Sequence, residues 1–428
     1  MTQWHRLGIA GLHAAYRAGA VTPSAVLAAQ RRRIAEIDPE LHAVVELDPT
    51  VNAMESDARV AANALRPLEG VPIAVKSNVA VAGLSWNAGM ELRRGIIAKR
   101  DAEAVTRLRI AGAIVFATLN MHEAALGATT DNVWFGRTGN PHAANTTPGG
   151  SSGGSGAAVA AGLCVASLGT DTLGSVRIPA AYTGVYGLKP TAGAISADGL
   201  VPLSRKFDTI GPLARSIHDL EAVWTALAGI RPFATPTRLL TLENLGEVAC
   251  EPAVVRGYAQ ATTFLAGLKR ERLAIASLQE IRTAGFITVA RALSRDLGAQ
   301  RTGAAEQLSS GLHWLLDYAD RATLDPTVLP AAAEAIRSAI GEDGVLLLPT
   351  APQAAFAHGT RAPANQADFT ALASIAGLPA LSIPAGRDDH GLPVAVQIVG
   401  PAGSEAALFA LARTLDQGLA GYAPPPGF

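Results

Sequence analysis

The chain has 428 residues, of which 49% are hydrophobic and 5% aromatic, with a formal net charge of -1 at pH 7 and a pI near 6.8. This composition excludes a disordered or fibrous protein. The near-neutral net charge does not favour binding to nucleic acid or to an anionic membrane surface. With two cysteines, no signal-like N-terminus and no uninterrupted apolar run of about 18 residues, we expect a cytoplasmic protein that binds a small molecule.

In the first part of the chain, predicted helices alternate with predicted strands. Thr22 and Pro23 have the residue types that begin a helix. The pattern predicts, in order, a helix from Thr22 to Asp38, a strand over 70–75, a helix over 101–111 and a strand over 113–117. This alternation predicts an α/β sheet.

The most unusual segment lies at 149–156, where five glycines and three serines fill eight positions. Glycine loses much conformational entropy in regular structure and serine competes for backbone hydrogen bonds, so we expect neither helix nor strand there. Glycines also let a backbone approach a ligand closely, which indicates the floor of an active site. A helix over 157–162 and a strand over 164–168 should follow, and a second serine cluster at 169–175 comes directly after that strand.

The second half of the chain carries no chemical motif. Residues 215–340 are predicted to be mostly helical. Strands are predicted over 344–350, 380–384 and 394–399. We find no linker, repeat or charged tail that would divide the chain into domains.

Lysine usage draws attention to Lys76, which ends the predicted strand over 70–75. Among the 35 basic residues only five are lysines. Arginine does not lose its proton in a protein, whereas burial can lower the pKa of a lysine from about 10.4 towards 7 to 8 and make it a base. Judged by its position alone, Lys76 fits better as a strand-end lysine whose side chain reaches solvent.

Three motifs in a fixed order carry a resemblance to a known family. They are Gly70-x-Pro72-x-x-x-Lys76, then Gly149-Gly150-Ser151-Ser152-Gly153-Gly154-Ser155, then Gly169-Thr170-Asp171-x-x-Gly174-Ser175-x-Arg177. The chain resembles the amidase signature family over 60–220 and again over 340–410. The resemblance implies a single large α/β domain over 1–428, with a mixed central β-sheet flanked by helices on both sides. It also implies an N-terminal helical segment at about 1–65 and a catalytic core at about 66–220.

The resemblance also implies a Ser-Ser-Lys catalytic triad. Ser175 would be the nucleophile, Ser151 the bridging serine that relays the proton, and Lys76 the base. A serine hydroxyl needs a neighbouring base before it attacks an amide, and the amide nitrogen needs a proton before it leaves. The peptide bond between Gly150 and Ser151 would be cis. No cofactor and no metal are implied, and although His122-Glu123 is similar to part of a zinc-protease helix, position 126 is Leu rather than His.

Further residues have supporting roles by the same resemblance. The oxyanion would be held by the backbone N–H groups of Thr172, Leu173, Gly174 and Ser175. Asp171 and Arg177 are expected to form a supporting pair, and Ser152 and Ser155 to hold the glycine-rich loop. The chain departs from the usual family pattern at Ser77, where many members have Asp, and at Leu173, where Gly is more frequent. The larger Leu173 side chain is expected to narrow the acyl pocket or shift an N–H donor.

Several functions fit these residues. The first is an amidase that hydrolyses a small-molecule carboxamide to a carboxylate and ammonia or an amine. A second is the glutaminase subunit of a tRNA-dependent amidotransferase complex, although the segment after residue 220 is short and is expected to be unlike that subunit. A third is a hydrolase of ureido or carbamoyl amides, such as an allophanate-type enzyme. A homodimer is a further option for the assembly.

Two other classes fit less well. Gly149-x-Ser151-x-Gly153 matches the nucleophile elbow of α/β-hydrolases, but that motif needs a strand directly before it. Residues 138–148 are instead polar and rich in Asn and Pro, which predicts a loop. A binding protein without catalytic activity would be expected to lack Lys76, Ser151 or Ser175, and all three are present.

Overall fold

The computed structural model of the protein describes residues 3–419 and 421–428. Its strands are β1 (Val44–Leu47), β2 (Pro72–Lys76), β3 (Ile114–Leu119), β4 (Asp131–Asn132), β5 (Gly136–Arg137), β6 (Ala166–Asp171), β7 (Tyr186–Lys189), β8 (Thr209–Ala214), β9 (Arg238–Leu242), β10 (Lys269–Leu273), β11 (Gly344–Pro349), β12 (Ala380–Arg387) and β13 (Pro393–Val399). Its α-helices are α1 (Ile9–Arg17), α2 (Pro23–Leu41), α3 (Met54–Ala61), α4 (Glu103–Ile110), α5 (Gly153–Ala160), α6 (Arg177–Thr183), α7 (Ile217–Ala228), α8 (Pro252–Phe264), α9 (Leu278–Leu297), α10 (Gln300–Gly303), α11 (Ser310–Arg321), α12 (Val328–Ile340), α13 (Thr370–Ala376) and α14 (Glu405–Leu419).

A mixed sheet of eleven strands runs through the molecule in the order β1-β3-β2-β6-β8-β7-β12-β13-β11-β9-β10. The pairs β2·β3, β2·β6, β9·β11 and β9·β10 are parallel, and the other neighbours are antiparallel. Because β2 and β6 are parallel neighbours, their carboxyl ends meet at one edge of the sheet. Lys76 ends β2 and Asp171 ends β6, so the fold itself brings two of the three motifs together.

Helices cover both faces of the sheet. Along β2, Ile73 and Val75 belong to one apolar cluster together with residues of α1, α4, α7 and α14, whereas Ala74 belongs to another together with residues of α2 and α5. This alternation is the two-residue period of a strand that is buried on both faces. At the other end of the sheet, Leu346 of β11 packs with residues of α9, α11 and α12. The predicted fold class is therefore confirmed.

Helix α2 begins as predicted but ends later. The Thr22 side chain accepts a hydrogen bond from the Ala25 N–H at 3.2 Å, as an N-cap does. The predicted end at Asp38–Pro39 is wrong, because the helix continues to Leu41. Pro39 lacks only its own backbone N–H, and it lies in the last turn of α2, so few helical hydrogen bonds are affected. The Asp38 carboxylate then accepts the N–H of Ala43 at 2.7 Å beyond the helix end.

The glycine-rich segment is a loop only in its first part. Helix α5 begins at Gly153, so the expectation of neither helix nor strand through 156 is wrong for its last four residues. A Cβ on Gly154 would lie 2.3 Å from the carbonyl oxygen of Asn120 and 2.7 Å from its nitrogen. The missing side chain lets the first turn of α5 lie directly on the chain that follows β3. Packing here outweighs the low helix propensity of glycine.

The prediction for the second half is correct at β11, β12 and β13 but incomplete between 215 and 340. That region contains the strands β9 and β10, which the helical interpretation missed. Strand β6 also lies at Ala166–Asp171 rather than at 164–168. Within the first 65 residues, β1 pairs with β3 and so belongs to the central sheet, while the division at about residue 65 stays a prediction. None of the helices in the described part of the chain is long and apolar enough to span a membrane.

Candidate active site

Lys76 is fully buried at the carboxyl end of β2 and is surrounded by hydroxyl groups. Its Nζ donates to Ser151 Oγ at 2.7 Å, Thr170 Oγ1 at 2.8 Å and Ser152 Oγ at 2.9 Å. The side chain does not reach solvent, contrary to what its position alone favours. Burial lowers the pKa of Lys76 to about 7, although the nearby charges of Asp208 and Asp171 raise it.

The hydroxyl protons around Lys76 are arranged so that the amine can act as a base. Ser152 Oγ donates to the Thr170 carbonyl at 3.1 Å, so its proton points away from Lys76. Within the described chain, Lys76 Nζ is the one hydrogen-bond partner of Ser151 Oγ. A neutral amine has two N–H donors and one lone pair. It can therefore donate to Ser152 and Thr170 while it accepts the proton of Ser151.

The backbone of Ser151 is fixed from several sides. The Gly150–Ser151 peptide bond is cis, as the resemblance implied. A Cβ on Gly150 would lie 2.7 Å from the Thr129 nitrogen, so only glycine fits against that backbone. The Ser151 carbonyl accepts the N–H of His122 at 3.0 Å. Burial lowers the pKa of the His122 imidazole to about 4, so this histidine is neutral at pH 7.

Asp171 organises the turn that follows β6. Its carboxylate accepts the backbone N–H of Gly174 at 2.8 Å and of Val176 at 3.2 Å. Arg177 binds the same carboxylate through Nη2 at 2.9 Å and Nε at 3.0 Å, and both side chains are fully buried. Burial raises the pKa of Asp171, but the Arg177 guanidinium and these donors outweigh burial and hold that pKa below its ordinary value.

Ser175 lies in this turn, on the wall of a cavity. The residue is half-buried, and its carbonyl accepts the N–H of Ser152 at 3.1 Å, which ties the two serine-containing loops together. The N–H of Gly174 is directed at Asp171, which leaves it unavailable as one of the four expected oxyanion donors. The N–H groups of Thr172, Leu173 and Ser175 donate to no protein acceptor in the described part of the chain.

Ser155 lies farther back, in the first turn of α5. Its hydroxyl donates to the Leu168 carbonyl at 3.3 Å, and its own carbonyl accepts the hydroxyl of Ser167 at 3.2 Å. These bonds connect the first turn of α5 to β6. At position 77, the departure from the family pattern leaves a buried Ser77 hydroxyl with no hydrogen-bond partner among the described residues.

Asp208 is a residue of the site that the sequence analysis missed. Its carboxylate accepts the Thr172 hydroxyl at 2.6 Å and the N–H groups of Leu203 at 2.8 Å and Ser204 at 3.0 Å. Its charge raises the pKa of Lys76, while burial raises its own pKa. No motif marks Asp208, because it follows a basic surface turn at 205–206 and reaches the site only through the fold.

The cavity beside Ser175 has a volume of about 520 Å³. The serine loops contribute Gly150, Thr172 and Leu173 to its lining, and much of the rest comes from α9, α11, residues 125–128 and residues 361–364. Ligand pockets generally measure about 300 to 1,000 Å³. The contribution of α9 and α11 was missed as well. The sequence pattern showed helices there but gave no signal of which residues face a cavity.

His122 and Glu123 have structural contacts. The Glu123 carboxylate accepts the Trp134 indole N–H at 2.9 Å and the Ser309 N–H at 3.1 Å, which joins three separate loops. Among the residues described, no group of three or more His, Cys, Asp and Glu side chains is placed to hold a metal ion.

Comparison with known sequences finds one family along nearly the whole chain. The sequence model of the Amidase family matches residues 25–248 and 258–409. The chain is 34% identical over 457 aligned residues to a subunit of the glutamyl-tRNA(Gln) amidotransferase of Thermus thermophilus, covering 94% of this chain and 95% of the relative. That coverage includes the segment after residue 220, so the expectation that this segment is unlike the subunit is wrong.

Solved structures share the fold. A crystal structure described as an amidase superposes with a TM-score of 0.86 at 30% identity, covering 96% of this chain and 100% of its own. The native peptide amidase from Stenotrophomonas maltophilia superposes with a TM-score of 0.81 at 31% identity, covering 98% of each chain. With the family match along the sequence and these shared folds, the chain belongs to the amidase signature family and is a hydrolase of carbon–nitrogen amide bonds.

Proposed function

We propose that the protein hydrolyses a small-molecule carboxamide to a carboxylate and ammonia or an amine through an acyl-enzyme on Ser175. Ser151 relays the proton and Lys76 is the base. The observation that carries the proposal is the buried Lys76 Nζ at 2.7 Å from Ser151 Oγ, with its pKa lowered to about 7 by burial. A base with a pKa near the working pH combines the right protonation state with enough strength.

In the acylation step, Ser175 Oγ forms a bond to the amide carbon as its proton passes to Ser151, and Ser151 passes its own proton to Lys76. The tetrahedral intermediate then collapses with cleavage of the C–N bond. The nitrogen leaves with a proton from Ser151, which Lys76 replaces. Water next attacks the Ser175 ester by the same relay, so the carboxylic acid is released and the proton returns to Ser175.

The developing oxyanion needs donors whose hydrogens are not already engaged. The N–H groups of Thr172, Leu173 and Ser175 meet that requirement, and we assign the oxyanion to them. Asp171 holds the turn that carries these groups, and Arg177 holds Asp171. Ser152 orients Lys76, and Ser155 anchors α5 to β6. These four residues are therefore positioning residues.

The proposal is tested by ammonia release from simple primary amides. We expect Ser175→Ala to lower kcat by about 10⁴-fold or more, because the nucleophile is lost while the fold is kept. Ser338→Ala is the matched control and should retain most of the activity, since Ser338 is exposed on α12 and its hydroxyl donates to Glu334 at 3.1 Å, away from the cavity. Undiminished turnover by Ser175→Ala would refute the assignment of the nucleophile. A 1:1 acyl adduct on Ser175 in the wild type, detected by mass spectrometry, would support it directly.

A second candidate function is the glutaminase subunit of a tRNA-dependent amidotransferase complex. The 34% identity to an amidotransferase subunit over 94% of this chain favours it. In that case L-glutamine should be the preferred amide, and turnover should rise when partner subunits are added. Size-exclusion chromatography with light scattering of the protein purified from its source separates a hetero-complex from a homodimer. Ureido substrates in the same ammonia assay test the carbamoyl alternative.

A further inference from the structure

One wall of the cavity that Ser175 lines is aromatic. Phe286 on α9 and Trp314 and Tyr318 on α11 face this cavity. The Trp314 and Tyr318 rings stack with centroids 5.8 Å apart, and Phe286 lies 6.3 Å from Tyr318. Trp314 is 65% exposed and Tyr318 is 44% exposed. Two large aromatic side chains exposed side by side within a cavity indicate a surface for an apolar ligand.

This aromatic wall is continuous with the turn that carries Ser175. A Cβ on Gly285 would lie 3.4 Å from both Cδ atoms of Leu173, so the Leu173 side chain touches α9 one residue before Phe286. Leu173 was expected to narrow the acyl pocket, and here it forms the apolar floor between the nucleophile and the aromatic rings. With the carbonyl carbon of a bound amide placed at Ser175 Oγ, the acyl chain would extend across this apolar surface.

The charges around the cavity disfavour an amino-acid substrate. No Asp or Glu lines the cavity in the described part of the chain, so the ammonium group of glutamine would have no acidic partner. Of the two lining arginines, Arg282 is held by Asp368 in an ion pair, and Arg361 is exposed. Burying an unpaired ammonium group costs desolvation free energy, whereas an uncharged ring has no charge to desolvate.

We infer that the preferred substrate is a primary amide whose acyl group carries an uncharged aromatic ring, packed against Phe286, Trp314 and Tyr318. This inference rests on the proposed function, since it places the carbonyl group at Ser175. The cavity, at about 520 Å³, is more than large enough for a ring on a short linker, because an apolar cavity of about 150 Å³ already holds benzene.

The test compares kcat/KM for 3-phenylpropionamide, propionamide and L-glutamine. We expect 3-phenylpropionamide to exceed propionamide by about 10- to 100-fold, since burial of the ring is the difference between them. Trp314→Ala and Phe286→Ala should each reduce that ratio by about tenfold. Phe264→Ala is the matched control: Phe264 is 42% exposed on α8, outside the cavity, so the ratio should not change.

A binding measurement keeps the inference independent of turnover. With the Ser175→Ala protein, calorimetry should give a Kd for 3-phenylpropionamide at least about tenfold below that for propionamide. The inference would be overturned if kcat/KM or Kd were nearly the same for 3-phenylpropionamide and propionamide, or if L-glutamine were the preferred substrate. It would also be overturned if neither aromatic variant changed the kcat/KM ratio of 3-phenylpropionamide to propionamide. If propionamide is turned over through Ser175 without any aryl preference, the substrate class is wrong and the proposed function stands. If no amide is turned over, the proposed function fails, and the binding ratio alone decides the specificity.

Discussion

Lys76 shows how one residue's surroundings decide its chemistry. The side chain is completely buried, and its three hydrogen-bond partners are neutral hydroxyl groups. Desolvation penalises the ammonium form, and no carboxylate is in direct contact to compensate. Arginine at this position would stay charged and could not take a proton. A scarce lysine at the end of a buried strand is therefore the residue that the proposed mechanism requires.

The pH dependence of activity follows from that pKa. Lys76, as the proposed base, must be neutral in the free enzyme, so kcat/KM should rise with pH through about 7 and level off above it. Asp208→Asn removes a negative charge that raises the pKa of Lys76. We therefore expect the acid limb to move to lower pH in this variant. The measurement is a profile of kcat/KM against pH for both proteins at constant ionic strength.

Asp198→Asn serves as the control for that experiment. Asp198 is 47% exposed and pairs with Arg100 at the surface, so its removal should leave the acid limb in place. An acid limb that stays fixed in Asp208→Asn, or moves to higher pH, would contradict the proposed electrostatic coupling.

Individual site residues were predictable where a short motif contains them. Lys76, Ser151 and Ser175 each lie within a few residues of a glycine or proline of their own motif. Asp208 and the aromatic residues of α9 and α11 belong to none of these motifs. They reach the site because separate elements pack together, and a single sequence holds no record of contacts made through space.

At the level of elements, the glycine-rich helix α5 depends on close packing. Its first turn lies against the backbone of Asn120, directly after β3, and a Cβ on Gly154 would also come within 2.9 Å of the carbonyl oxygen of Ala43, directly before β1. Backbone atoms cannot rotate out of the way as a flexible side chain can. Helix α5, which directly follows the serine loop, can therefore lie this close only because residue 154 has no side chain.

Gly154→Ala tests this packing. Alanine favours a helix by about 1 kcal/mol, but the forced contacts should cost more, about 1 to 3 kcal/mol in net stability. Urea unfolding monitored by circular dichroism measures the change. Gly303→Ala is the control, because a Cβ there meets no atom within 4 Å, and its stability should be unchanged or slightly higher. A Gly154→Ala protein as stable as the wild type would contradict the packing account.

Burial made some strands predictable, although β7 and β8 are also buried at every position and were not predicted. Strands β11 and β13 are buried at every position and show as continuous apolar runs. Strand β10 reads Lys-Arg-Glu-Arg-Leu and lies at the edge of the sheet, mostly exposed. Charged residues protect an edge strand from unwanted pairing, so its sequence looks like a solvated surface. Its identity as a strand comes from its parallel pairing with β9, which composition does not reveal.

On the scale of the whole molecule, the parts have separate tasks. The end of β2, the loop before α5 and the turn after β6 carry the proposed triad, and the segment 340–410 joins the same sheet through the β7·β12 pairing. The region between, at 238–340, supplies α9 and α11 to the cavity wall. Because the proposed triad and this wall belong to different elements, we expect residues of the wall to be replaceable without a change in the triad.

Arg177 joins these parts. Besides Asp171 at the end of β6, its guanidinium donates to Gln397 Oε1 on β13 at 2.8 Å and to Ser374 Oγ on α13 at 2.9 Å. It therefore binds side chains that lie 220 and 197 residues farther along the sequence. Because all of these groups are buried, no water can replace the guanidinium if it is removed.

Arg177→Met should therefore lower the free energy of unfolding by about 3 to 5 kcal/mol at pH 7, since it leaves the Asp171 carboxylate buried without its partner. The ion pair holds the pKa of Asp171 below its ordinary value, so its contribution is present above that ordinary pKa and is lost as pH falls. The deficit of the variant should thus shrink in acid, where the unpaired carboxyl takes up a proton. Urea unfolding at pH 7 and at mildly acidic pH measures both effects.

The exposed pair of Arg100 and Asp198 provides the comparison: Arg100→Met should cost no more than about 1 kcal/mol at either pH. A deficit of Arg177→Met as small as that of Arg100→Met, or one that grows in acid, would show that this buried pair does not hold the two halves of the sheet together.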